Sequence, residues 1–132
     1  MILSDGTASI SLPDTEFIWA DELTHDPVTQ STERTITGAL VVELWKEVAG
    51  RPVTLAPSDN NHGWLLRSDW LALKAWADEP GKALMLTVPT ASGTESFGVI
   101  FSRPAIEAEP LFGHSWRDGN EYWRGTLRFL TV

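Results

Sequence analysis

Three neighbouring stretches decide the fold: Gly50–Pro57 (GRPVTLAP), Trp64–Gly81 (WLLRSDWLALKAWADEPG) and Lys82–Val88 (KALMLTV). The first opens with a turn pair, Gly50-Arg51, and a Pro at a permitted strand-initial position. The second begins with a short apolar run, Trp64-Leu65-Leu66, and then changes period. Trp70, Leu73 and Ala77 recur at i, i+3 and i+7, with Leu66 preceding them, which is one face of a helix. Ser68 is placed to cap that helix and Asp69 suits its first turn. Pro80-Gly81 stops it. A helix from about 68 to 78 is therefore expected between strands, in a chain that otherwise reads as β.

Outward from this block the extended signals continue. Ser9 to Leu12 alternates small polar and apolar residues, and Phe17-Ile18-Trp19 is a compact apolar run. Asp21 to Ser31 is polar, holds Pro27 and reads as a loop or an extended arm. Thr32 to Val48 is the longest β signal, rich in Thr, Ile and Val. Gly38 within it suggests a bend or bulge. This run is expected to pair with Pro52 to Leu55 as a long hairpin, with Leu44 to Ala49 as an alternative helical turn. Ala83 to Val88 and Ser96 to Ser102 form a second hairpin around a turn at Pro89 to Thr94. Ile106 to Phe112 alternates apolar and acidic residues, Gly113 to Asn120 is a loop, and Tyr122 to Val132 alternates strictly.

The chain has 132 residues, enough for one domain with its own core, 1–132. It has no Cys, which excludes disulfides and thiolate metal sites. The net charge of -8 opposes the sign a free-standing nucleic-acid binder needs. No apolar window approaches the ~20 residues that span a bilayer. Met1 to Ser11 lacks a basic region followed by an apolar run, so no secretory leader is expected.

Catalytic signatures are weak. His25, His62 and His114 lie in three separate loops without the spacing of a metal pair. Asp59-Asn60-Asn61 lacks the Gly and closing Glu of a calcium loop and reads as an Asx turn. Glu107 and Glu109 share one strand face, which fits a carboxylate pair for glycoside hydrolysis and fits an ordinary solvated face as well. Neither a nucleophile elbow nor a phosphate loop is present. Seven Trp stand out. Trp19, Trp45, Trp64, Trp116 and Trp123 suit either a sugar-binding platform or core and subunit contacts. Arg51, Arg67, Arg103, Arg117, Arg124 and Arg128 suit interface ion pairs.

The order GRPVTL, WLLRSDWLALKAWA, LMLTV, FGVIF, IEAEP and YWRGTLRFLTV resembles small tail proteins of tailed bacteriophages. The likeness is to those of transposable, long-tailed Pseudomonas phages and related prophages, and runs from about Phe17 to Val132. The layout is similar to the tail-tube fold of tube, distal tail and baseplate hub proteins. The resemblance implies an antiparallel β-sandwich or half-barrel with one helix and no enzymatic role. It implies a ring, hexameric, at the tail tip or baseplate of the virion, assembled in the host cytoplasm. Its neighbours would be the tail tube, hub and tape-measure proteins. DNA would pass through an acidic lumen without specific binding, with no cofactor and no membrane insertion. Trp19, Trp45, Trp116, Trp123 and Arg124 are the expected interface residues, with edge strands pairing between subunits. The plain loop from Pro89 to Glu95 offers no long stacking arm, which favours a tip or baseplate part over a repeated tube subunit. The alternatives are a glycan-binding β-sandwich module and a small hydrolase using Glu107 and Glu109.

Overall fold

The alternating C-terminal run becomes the central strand of the molecule. Gly125, Leu127 and Phe129 turn inward and are buried, while the residues between them stay part-exposed. The computed structural model describes residues 1–46, 50–111 and 113–132. In chain order these form β1 (Ile2–Ser4), β2 (Ser9–Ser11), β3 (Phe17–Trp19), β4 (Val28–Arg34), β5 (Leu40–Lys46), β6 (Pro52–Pro57) and β7 (Trp64–Leu66). There follow α1 (Arg67–Ala77), β8 (Leu84–Thr90), β9 (Gly93–Pro110) and β10 (Tyr122–Thr131). The protein is thus mainly β with one short helix, as its periodicity predicts.

Eight strands make one antiparallel sheet in the order β2-β1-β8-β9-β10-β6-β3, with β7 pairing β10 beside β6. The sheet is curled. Trp19 on β3 and Phe97 on β9 have ring centroids 5.5 Å apart, although β10 and β6 lie between their strands. At ~4.8 Å per strand a flat sheet would separate β3 and β9 by roughly 14 Å. Curling wraps the inward residues Leu3, Phe17, Val53, Leu55, Leu86, Val99, Leu127 and Phe129 into one core.

Helix α1 packs on this core through Trp70, Leu73, Trp76 and Ala77. The expected face is present, with Trp76 added to it and Leu66 only half-buried at its start. The cap differs from expectation. Leu66, not Ser68, occupies the N-cap and no side chain caps the helix, because β7 runs directly into it. The freed N–H groups of Arg67 and Ser68 instead donate to the carbonyls of Glu121 (2.7 Å) and Gly119 (3.2 Å). At the other end the Arg103 guanidinium donates to the Ala77 carbonyl at 2.6 Å, a favourable charge at a helix C-terminus. A bulge in β9 presents Arg103. Leu127 faces Ile106 but Phe129 faces Phe101, so residues 102–105 stand opposite Arg128 alone.

The long β run folds otherwise than expected. Thr32 to Val48 is not one strand paired with Pro52 to Leu55. The chain reverses inside it, so that β4 and β5 pair with each other and β6 pairs with β10 and β3. Gly38 makes the reversal, with φ of +85° that an L side chain rarely adopts. Its N–H donates to Thr35 O at 2.9 Å, and Thr35 N–H donates to Ala39 O at 2.8 Å. These bonds close a three-residue loop with Gly in its last position. Of the alternative helical turn at 44–49, Leu44 to Lys46 are strand, and 47–49 lie outside the described residues, as does Phe112.

Candidate assembly surface

The hairpin of β4 and β5 is an arm. Every residue of β5 is exposed, and so is every residue of β4 except Ser31, which is half-buried. Alternation within the register sorts its side chains into two faces. One carries Val28, Leu40, Val42 and Leu44 with Arg34 and Lys46. The other carries Val41 and Trp45 with Glu33 and Glu43. Both faces therefore mix apolar residues with charge, one basic and one acidic. Ile36 at the tip is fully exposed.

The expected interface residues fall into two groups. Trp45 (53 %) and Trp116 (82 %) are exposed. Trp19, Trp123 and Arg124 are engaged within the chain. Trp19 lies against Phe97 and under the Arg51 guanidinium, 4.9 Å from the ring centre. Trp123 donates its indole N–H to Glu121 at 3.4 Å. Arg124 donates to the carbonyls of His62 (2.8 Å) and Asp59 (2.9 Å), which fixes the loop before β7. Of the other Trp, Trp70 and Trp76 are core and Trp64 is half-buried.

Two apolar clefts flank the start of β10. One, of about 290 Å³, has a floor of Trp70, Leu71, Ile106 and Trp123 and a basic rim of Arg67 and Lys74. The other, of about 270 Å³, is lined by Leu111, His114, Trp116 and Tyr122. Glu121 organises the loop between them. The Ser115 hydroxyl donates to its carboxylate at 2.7 Å, and the Trp116 N–H donates to its other oxygen. These bonds, the hydroxyl first, hold the Glu121 carboxyl below the usual carboxylate range.

Glu107 and Glu109 lie on the exposed outer face of β9, beside a shallow groove of about 260 Å³ over Gly125. Glu107 is ion-paired with Arg128 at 3.2 Å, which accounts for it as a surface charge. The His62 Nδ1–H donates to the Asp59 carboxylate at 2.5 Å, and this hydrogen bond raises the imidazole pKa. His114 stacks edge-on against Trp116, with ring centres 4.7 Å apart. Among the described residues no three His, Asp or Glu are grouped to hold a metal.

The sequence points to Trp45 and Trp116, and to a loop or extended arm only over Asp21 to Ser31, which reaches into β4 but not to β5 with Trp45. The available signal was the run Leu40–Lys46 (LVVELWK), in which both alternating sets hold large apolar residues. Such a run belongs to strands covered on both faces. Comparison with known proteins finds no family model, no curated protein and no solved structure that matches this chain.

Proposed function

We propose that this chain is a structural subunit that assembles with copies of itself into a ring at the tail tip or baseplate of a bacteriophage. The arm is the observation that carries the assembly reading. An isolated two-stranded hairpin is marginal in water, and a long exposed apolar strand is an association site. The phage setting rests on the motif order and on the layout of a curled antiparallel sheet with one helix.

Magnitudes shape the mechanism. Seven residues per strand at ~3.4 Å, two strands wide, give about 240 Å² per face of the arm. Both faces together reach about 480 Å², short of the ~800 Å² each partner contributes to a stable pair. If half of that area is apolar, its burial yields about 6 kcal/mol at 25 cal/mol/Å². Association costs at least ~4 kcal/mol in lost freedom. One arm contact is therefore weak, and closing a ring adds a contact without a second such cost. The expected behaviour is a steep transition from monomer to closed ring with few dimers between. An acidic chain lining a channel would repel DNA phosphates and let the duplex slide.

The glycan-binding alternative requires several exposed, coplanar indoles. Among the described residues only Trp45 and Trp116 present exposed indoles, on different elements, so it draws no support from this arrangement. Sedimentation velocity across a hundredfold concentration range tests assembly, and mass spectrometry of purified phage tails tests location. Rings that dissociate on dilution, together with the chain in tails, are expected. A chain that stays monomeric at all concentrations removes the assembly reading, and its absence from tails removes the phage setting.

A further inference from the structure

The two faces of the arm differ in charge, and one of them matches a surface on the body. The acidic face presents Val41, Glu43 and Trp45 in line along β5, with Glu33 directly across from Val41. Beside α1 lies an apolar cleft floored by Leu71, Ile106 and Trp123 and rimmed by Arg67, which also donates to the Arg117 carbonyl at 3.3 Å, and Lys74, which also pairs with Asp78. The two basic residues are seven apart on the helix, about 10 Å along its axis. Glu33 and Glu43 are diagonal neighbours across the hairpin, so the acidic pair is the more compact and fits between the basic residues. Leu71, half exposed, stands on the helix between them.

We infer that the acidic face of the arm seats in the α1 cleft of the next copy, with Trp45 over Leu71. This rests on the self-assembly reading and specifies its contact. The contact joins two different surfaces, so it is head-to-tail and leaves each copy with one free arm and one free cleft. Repetition then gives a closed ring, or a filament where the rotation does not close. One face of the arm offers about 240 Å², below the ~800 Å² each partner gives a stable pair, so a single contact is weak and closure of the ring must support it.

Charge reversal tests the pairing. Glu33→Lys with Glu43→Lys is expected to weaken association by roughly 100-fold, because like charges then meet across the contact. Arg67→Glu with Lys74→Glu is expected to do the same. An equimolar mixture of the two variants is expected to regain association, since each reversed arm then meets a reversed cleft. Circular dichroism and thermal melting check that each variant folds. A cysteine-free chain also permits a clean cross-link. Trp45→Cys and Leu71→Cys proteins, mixed and oxidised, are expected to give a disulfide dimer that neither gives alone. A dimer from Trp45→Cys alone would show arm-to-arm pairing and overturn the inference. Normal association of both reversed variants would also overturn it, while leaving self-assembly intact. A wild-type chain that never associates removes both readings before any variant is made.

Discussion

Strands β10 and β5 are both rich in large apolar residues, and they end in opposite circumstances. In β10 the apolar positions alternate, and Leu127 and Phe129 are wholly buried. In β5 Leu40, Val41, Val42, Leu44 and Trp45 crowd both faces, and all are exposed. Alternation records a strand with one face covered by its own chain. A continuous run records a strand that requires cover on both sides, without saying which chain provides it. The body of this protein satisfies its own pattern, and the arm does not.

The sharpest way to break that contrast is to cut equally into both regions. Phe129→Ala should cost about 3–5 kcal/mol in urea unfolding, since it opens a cavity among packed neighbours. Leu44→Ala at the same dilute concentration should cost less than about 0.5 kcal/mol, as for an exposed site. Equal losses would mean that the arm folds against the body, and the contrast would be wrong.

The next effect concerns how closely the body is packed. An added Cβ at Gly125 would lie 2.2 Å from the Glu107 carbonyl oxygen. Gly125→Ala must push β10 and β9 apart and should cost about 1–3 kcal/mol. Full stability in that variant would show that the two strands can separate freely. A smaller effect is expected from Trp70→Phe, which keeps the ring against Phe17 but removes the indole N–H donated to Trp123 O at 2.9 Å. Leaving that carbonyl unpaired should cost about 1–2 kcal/mol, read as a lowered urea midpoint at unchanged slope.

The smallest effect is a pH dependence of the loop that carries Trp116. Folding lowers the Glu121 pKa from its ordinary value of 4.5. Its contribution is therefore complete above about pH 4.5 and fades as pH falls through the lower folded value. Protection of the amides of residues 113–121 against hydrogen exchange, referenced to the intrinsic rate at each pH, should fall on acidification over that range. Glu121→Gln should flatten the dependence, and an unchanged profile would remove Glu121 from the role of organiser.

Much of the body was legible because its periods are unmixed. Trp70, Leu73 and Ala77 mark a helix face, Phe17 to Trp19 marks a strand, and the run from Tyr122 gives the central strand with its inward set. The helix cap was not legible, because the carbonyls that replace it come from residues 119 and 121, which are distant in sequence. Strand β1 has three residues and too short a pattern to register. The pairing of β4 with β5 was not legible, because Thr35 to Ala39 (TITGA) lacks the Asn-Gly or Asp-Gly signal of a two-residue hairpin, so Gly38 reads as a bend or bulge within one run. Of the candidate interface residues, Trp45 and Trp116 are exposed. Composition could not tell them from Trp19, whose partner Phe97 is brought near only by tertiary folding, or from Trp123, which bonds Glu121 two residues away.

The main sheet ends at both sides in strands of three residues, β2 and β3. An edge that short gives an incoming strand almost no ladder to copy. Crowded copies are thereby denied the indiscriminate edge-to-edge stacking that would bury them in amorphous precipitate. Association is kept off those two ends of the sheet.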